Sequence, residues 1–290
     1  MVFALNDALS QRYTYEVELT KKRVLSEKLL TYNNGKKVCL VERENNDIIR
    51  NTLSKNTDNI ILKDNSSFIS TFIQYGVPEV QKFIPIFANA ITNVTYNSTL
   101  NAQLVDYVAS YYYSNPDIHK KVVKQLRFFD TGIENVEIKK GVDVFGNEQY
   151  LSEFTHKTES GNKVLNYFDQ SMGTKLLYNQ LKDFFLILSN GGIFIYDELG
   201  EHLHRRIVPY LYGFFWDEER NTNHAQLIFT THYSQVMDDM KKYRTYLFNK
   251  EEGESYCYRV DELSSAVSPR NDRSLENMYK TGMLGGVPNV

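Results

Sequence analysis

Three short segments carry residue types that can do chemistry together. The first is Gly191-Gly192-Ile193-Phe194-Ile195-Tyr196-Asp197-Glu198, an apolar run that ends in two acids. As a strand of a parallel sheet it would deliver Asp197 and Glu198 to the C-terminal edge, where α/β proteins bind ligands. One carboxylate there can hold Mg²⁺ and the next can polarise an attacking water. A strand that merely happens to end in acids is the bland alternative. The second segment, Leu227-Ile228-Phe229-Thr230-Thr231-His232, is again an apolar run and ends in an imidazole. If the two strands are neighbours, His232 reaches the same edge and can bond a phosphate or a water; a capping or core histidine is the alternative. The third is Asp169-Gln170-Ser171-Met172-Gly173-Thr174-Lys175, followed by an apolar stripe at Leu177, Leu181, Phe184 and Leu188. Ser171 suits a helix N-cap. The exposed amides and positive dipole end behind it suit an anion, and an ordinary capped helix is the alternative.

The elements that position these segments follow from periodicity. Residues 13–43 alternate as an antiparallel meander, with Tyr13, Tyr15, Val17 and Leu19 on one face and a hairpin turn at Asn33-Asn34-Gly35-Lys36. From about 66 to 130 the spacing is three and four. Phe68, Phe72, Tyr75, Val80, Phe83, Ile84, Phe87 and Ile91 are followed by Leu104, Tyr107, Val108 and Tyr111, then Val122, Val123, Leu126 and Phe129. This predicts helices broken at Gly76-Val77-Pro78, Asn97-Ser98 and Ser114-Asn115-Pro116. Residues 133–166 are strand-like, with a turn at Phe145-Gly146-Asn147. Helix 171–189, strand 192–197, helix 202–215, strand 226–231 and a strand at 244–248 then alternate, the pattern of a parallel sheet with helical crossovers.

In order, the chain has a Ser-x-Gly-Thr helix start, a strand ending in Asp-Glu and a strand ending in Thr-Thr-His. Ser171 and Asp197 lie 26 positions apart, and Asp197 and His232 lie 35 apart. That succession resembles the ATP-binding-cassette type of ATPase head, with its signature motif, Walker B strand and switch histidine. More narrowly it is similar to the AAA-type ATPases of the OLD and abortive-infection groups, relatives of RecF and Rad50 heads used in anti-phage defence. Asp169-Gln170-Ser171-Met172-Gly173-Thr174 is close to the signature of those proteins. In Leu199-Gly200-Glu201-His202-Leu203-His204-Arg205, Leu203-His204 match their Gly-Leu-His-Pro turn and Arg205 departs. Phe129-Asp130-Thr131-Gly132-Ile133-Glu134-Asn135-Val136 and the tail from Asp272 to Pro288 also resemble the family.

The resemblance implies an α/β ATPase head of ABC type: a parallel sheet core, an antiparallel meander and an inserted helical lobe. It implies ATP and Mg²⁺ as cofactors. Asp197 would ligate Mg²⁺, Glu198 would be the general base and His232 would sense the γ-phosphate. Ser171, Gly173 and Thr174 would contact ATP across a homodimer or higher oligomer. An effector, a nuclease or a toxin, and DNA are the implied partners. The expected divisions are a β arm over 1–45, a helical lobe over 46–130 and the ATPase core over 131–290.

One part of that pattern has no counterpart in the sequence. A P-loop, G-x-x-x-x-G-K-[ST], occurs nowhere in the 290 residues. Asn34-Gly35-Lys36-Lys37 and Gly173-Thr174-Lys175 are its nearest fragments, and the first lies in the hairpin. The expectation is therefore that the strand, P-loop and first helix preceding the meander are lost, truncated or carried on another polypeptide. Two other readings stand beside this one. A catalytically degenerate ATPase-like module would only bind a partner. A metal-dependent hydrolase would use Glu198, His202 and His204, with Glu201 nearby and a His-x-His pair for Zn²⁺, although a helix would point those two histidines roughly 200° apart.

Composition sets the outer bounds. Apolar residues make up 42% of the chain, and 33 basic against 36 acidic residues leave a net charge of −3. No global field draws such a chain to DNA or an anionic membrane. Lys120, Lys121, Lys124 and Arg127 make one local basic face, by default a solvated one and otherwise a contact for DNA phosphates. No apolar run approaches the roughly 18 residues of a membrane span, and the N-terminus lacks a basic signal region. Two distant cysteines, Cys39 and Cys257, fit a reducing cytoplasm.

Overall fold

The computed structural model describes residues 2–6, 11–55, 57, 59–84, 89–94, 102–129, 131–263 and 273–287. Phe87, Asn97, Ser98, Asp130, Asp272 and Pro288, which figure in the sequence expectations, lie outside them. The chain divides into two compact units, residues 1–90 and 91–290.

The first unit is the meander. Strands β1 (Val2–Asn6), β2 (Arg12–Leu19), β3 (Val24–Asn33), β4 (Lys36–Glu44) and β5 (Asp47–Asn51) pair antiparallel in chain order. The hairpin between β3 and β4 turns through Asn34 and Gly35, both at positive φ (48° and 76°). That combination matches the twist of the flanking strands. Tyr13, Tyr15 and Val17 are buried as the alternation requires, whereas Leu19, at the strand end, is exposed. Helices α1 (Phe68–Gln74) and α2 (Pro78–Gln81) close the core by setting Phe68, Phe72 and Val80 against Leu29 and Val41. Ser67 caps α1, its Oγ accepting from the Ser70 amide at 3.0 Å.

Inside that core lies an ion pair. Glu27 and Arg43 face each other across β3 and β4, both side chains fully buried and 2.7 Å apart. The remaining polar atoms are satisfied. Arg43 donates to the carbonyls of Lys63, Ser66 and Asn45, while Glu27 accepts from the Phe68 amide and the Tyr15 hydroxyl. Such saturation is the condition under which charges tolerate burial.

The second unit begins within β6 (Ala90–Thr92), at Ile91, and continues through α3 (Ala102–Ser114) and α4 (Pro116–Phe128). A hairpin sheet follows, β7 (Ile133–Val142), β8 (Glu148–Thr158) and β9 (Gly161–Asn166), with its first turn at 143–147 as expected. Then come α5 (Met172–Asn190), β10 (Ile193–Tyr196), α6 (Val208–Gly213), β11 (Gln226–Phe229) and α7 (Val236–Met240). The antiparallel pair β12 (Tyr246–Glu251) and β13 (Glu254–Arg259) precedes α8 (Leu275–Lys280). Strands order as β11-β10-β6, and β10 and β11 run parallel. The stripe on α5 is buried as the spacing predicts: Leu177, Leu181, Phe184 and Leu188 pack with Phe194 and Tyr196 of β10. Fully burying one such side chain stabilises a fold by about 1.5–3 kcal/mol.

Several expectations change. The span expected to be one helical lobe, 46–130, straddles the two units: α1 and α2 pack on the meander, α3 and α4 on α5. On α3 the buried face is Val105, Val108, Ala109 and Tyr112, while Leu104 and Tyr107 are exposed. The Tyr112 ring settles the rotation by packing at a tilt on Tyr178, 4.8 Å between ring centres, and donating its hydroxyl to the Tyr178 carbonyl. Ile91 lies in β6 rather than a helix. The helix expected at 202–215 reduces to Val208–Gly213, because 198–207 is a run of turns. Left-handed φ at Glu198 (57°), Gly200 (99°) and His202 (58°) breaks any helix there.

Candidate functional site

The parallel ladder does the first positioning. Ile193 registers with Gln226 and Tyr196 with Phe229, so Asp197 and Thr230 leave the sheet side by side at its C-terminal edge. Phe194 and Tyr196 anchor β10 on Phe184 at 5.0 and 5.8 Å between ring centres.

Asp197 is held on two sides. Its amide donates to Asn93 Oδ1 at 2.7 Å and its carbonyl accepts from Asn93 Nδ2 at 2.9 Å. On the other side, Thr230 Oγ1 donates to Asp197 Oδ1 at 2.5 Å and accepts the Glu198 amide at 2.8 Å. The carboxylate keeps its remaining oxygen valences at an exposed edge. That is a donor set suited to Mg²⁺, which takes one or two protein carboxylates and completes its octahedron with water and phosphate oxygens.

Glu198 follows in left-handed backbone, an uncommon state for a side chain of this size. The turn behind it is stitched to the loop after β11. Thr231 Oγ1 donates to the Leu199 carbonyl at 2.8 Å, and the Tyr233 hydroxyl donates to the carbonyls of Gly200 and Leu203. Gly200 has to be glycine: a Cβ would meet the Tyr233 ring and Val208 at 2.6 Å. The result aims the Glu198 carboxylate at His232, whose Nε2 stands 3.8 Å from Glu198 Oε1. His232 is 89% exposed, open to whatever occupies the edge. Glu201 beside Glu198, and then Asp197, push the Glu198 carboxyl above the usual carboxylate range, while His232 pulls it back.

The helix start lies on the far side of the same turn. Ser171 caps α5, its Oγ accepting the Thr174 amide at 3.2 Å and lying 2.9 Å from Thr174 Oγ1. A Cβ on Gly173 would stand 2.8 Å from the His202 carbonyl oxygen, so the helix packs backbone against the turn. Ser171, Gly173 and Thr174 make no hydrogen bond with Asp197, Glu198 or His232. The structure therefore brings Glu198 and His232 together, links Asp197 to Glu198 through Thr230, and sets the Ser171–Thr174 helix start against the turn that follows them.

The metal-hydrolase alternative finds no such assembly. His202 lies 3.5 Å from Glu201, and His204 Nδ1 accepts the Arg206 amide at 3.3 Å. Among the described residues no three His, Cys, Asp or Glu side chains converge to hold a metal. The basic face on α4 is solvated, with Arg127 paired to Glu134 at 3.2 Å. Cys39 and Cys257 are free thiols. No helix among the described residues is long and apolar enough to cross a membrane.

Sequence reasoning missed Asn93 and Thr230. Asn93 stands 104 positions from the residue it clamps, and Thr230 reads as part of an apolar strand. The Thr-Thr pair at the end of that strand was the one available signal for the latter.

The site thus sets a parallel strand pair that ends in Asp-Glu and Thr-Thr-His beside a capped Ser-x-Gly-Thr helix. The family model described as "AAA domain, putative AbiEii toxin, Type IV TA system" matches residues 9–238. The chain belongs to that family. Similar solved structures include the SMC head domain from Thermotoga maritima, at 12% identity and TM-score 0.35, covering 88% of this chain and 77% of that one. The SmcHead bound to the C-winged helix domain of ScpA is similar at 11% identity and TM-score 0.35, covering 95% and 79%. No curated protein matches the chain.

Proposed function

We propose that this chain is the Mg²⁺-dependent ATP-binding and hydrolysing head of a nucleotide-driven switch, in a cytoplasmic anti-phage defence or DNA-related complex. One observation carries the reading: Asp197, Glu198 and His232 meet at the C-terminal edge of a parallel sheet, with Glu198 and His232 at 3.8 Å. Bound Mg²⁺ would neutralise charge developing on the phosphate oxygens. Asp197 is the residue that would hold it. Glu198 takes the proton of the attacking water, and His232 donates to a γ-phosphate oxygen from the exposed rim. Ser171, Gly173 and Thr174 present a capped helix start to ATP across a homodimer or higher oligomer. An effector, a nuclease or a toxin, receives the conformational output.

Without a P-loop in its sequence, the chain alone is expected to hydrolyse ATP weakly or not at all. The test is Glu198→Gln in a complex reconstituted with a P-loop-bearing partner. Nucleotide should bind and remain unhydrolysed; turnover equal to the parent's removes Glu198 as base. If neither the chain nor that complex binds nucleotide, the interaction-module reading, which the absent P-loop favours, takes its place.

A further inference from the structure

A chain of net charge −3 carries one groove in which cations outnumber acids. The groove, of about 840 Å³, runs between α4 and the strands β7 and β8. Lys120, Lys124 and Arg127 line it from the helix and Lys157 from β8, with Glu134 the one acid among the described lining residues. Arg127 already holds Glu134 at 3.2 Å, and Lys120 stands 3.9 Å from Asp117. Among the described residues no carboxylate pairs with Lys124 or Lys157. Like charges gathered in a concavity repel one another and focus a positive field there. An anion relieves that repulsion. The cations of α4 fall along about 10 Å of helix, a spacing that suits a run of linked phosphates.

Two further features belong to the same groove. At the C-terminal end of α4, Phe128 lines it with a side chain that is 59% exposed. Tyr210 of α6 and Phe129 hold that ring, at 5.1 and 5.8 Å between centres. A fixed, exposed aromatic beside cations is how proteins stack a base next to its phosphates. The other feature is an unmet hydrogen bond. His119 lines the groove, and its Nε2 is buried without a partner among the described residues. Burial lowers the pKa of that ring and keeps it neutral. Buried polar atoms are nearly always bonded, so this one can still take a partner from outside the chain.

We propose that this groove is a second nucleotide site, which binds one nucleoside di- or triphosphate. Lys120, Lys124 and Lys157 take the phosphates, and Phe128 stacks on the base. The size is that of a small-ligand pocket, about 300–1,000 Å³. Asp197, Glu198 and His232 do not line the groove. The site is therefore separate from the proposed ATPase edge, goes beyond that reading, and needs neither Mg²⁺ nor a P-loop.

The experiment uses the full chain alone, in EDTA, with ATP as the probe. Equilibrium dialysis should find one ATP bound per chain. ATP should bind at least about fivefold tighter than inorganic tripolyphosphate, the margin that a stacked base gives. Phe128→Ala should erase that margin. The double variant Lys124→Glu/Lys157→Glu should weaken ATP binding about tenfold or more. All three side chains are exposed, so both variants should keep the parent's circular dichroism and melting curve. Photo-activated 8-azido-ATP should label the segment 119–136. No binding, an affinity unchanged in the lysine variant, equal binding of tripolyphosphate, or labelling at Asp197–His232 overturns the proposal. So does tighter binding of oligothymidylate or polyglutamate than of ATP, which would make the groove a strand or peptide site. The ATPase reading is judged separately, by Glu198→Gln in the reconstituted complex.

Discussion

Thr230 Oγ1 reaches both acids of the candidate site, donating to Asp197 Oδ1 at 2.5 Å and accepting the Glu198 amide at 2.8 Å. A single hydroxyl thereby couples the orientation of the proposed metal ligand to the backbone of the proposed base. Thr230→Val keeps the shape and removes both bonds. The expected loss of stability is about 1 kcal/mol, since the site is exposed and water replaces part of what is lost. Mg²⁺-dependent nucleotide binding by the reconstituted complex should fall at least tenfold. Thr231→Val, which loses only the bond to the Leu199 carbonyl, should keep that binding; equal effects from the two variants would sever Thr230 from the site.

The Glu198 carboxyl offers a pH test. Glu201 first, and Asp197 after it, raise it above the ordinary carboxylate value. A base works deprotonated, so hydrolysis should fall with acid at a higher pH than an ordinary carboxylate would give. Glu201→Gln removes the largest cause and should shift that acid limb to lower pH. For folding the sign is opposite: a carboxyl held more strongly protonated in the fold contributes stability at low pH that is lost as pH rises. A turnover profile unchanged by Glu201→Gln would show that Glu198 is not the titrating group.

Two glycines in helices should respond in opposite directions to the same substitution. Gly→Ala where the native backbone suits alanine normally stabilises by about 0.4–1 kcal/mol. At Gly213 no atom lies within 4 Å of an added Cβ, and that gain is expected. At Gly173 the added Cβ meets the His202 carbonyl oxygen at 2.8 Å, so Gly173→Ala must push α5 off the turn. It should destabilise by about 1–3 kcal/mol. Urea titration of both variants decides it, and a stabilised Gly173→Ala would mean that the helix and the turn do not pack in solution.

In the meander unit, Arg43→Met leaves Glu27 buried without its counter-charge. About 3–5 kcal/mol of stability should be lost. The double variant Glu27→Leu/Arg43→Met removes both charges and should recover most of it, as chemical denaturation can show. Additive losses would mean that the two side chains do not act as a pair.

How much of this could be read from the sequence depended on how far each signal was local. Buried parallel strands are short apolar runs, so Ile193–Tyr196 and Gln226–Phe229, and with them Asp197, Glu198 and His232, stood out. The stripe on α5 was legible for the same reason: four side chains at helical spacing share one environment. The turns over 198–207 were not, because Glu198 and His202 adopt left-handed backbone with no composition mark beyond Gly200. Asn93 was invisible, since its bonds to Asp197 cross 104 positions. Glu27 and Arg43 carry no local mark of burial: charged residues in an alternating strand suit its wet face, and these turn inward because each satisfies the other.

The uncovered edge of β11 also has a cost in handling. A row of amides that no strand among the described residues pairs, beside exposed isoleucines, is a template for any extended chain, including the same strand of a neighbouring molecule. Overproduced, the protein should accumulate as insoluble aggregates, and a charged substitution at Ile228 should keep more of it in solution.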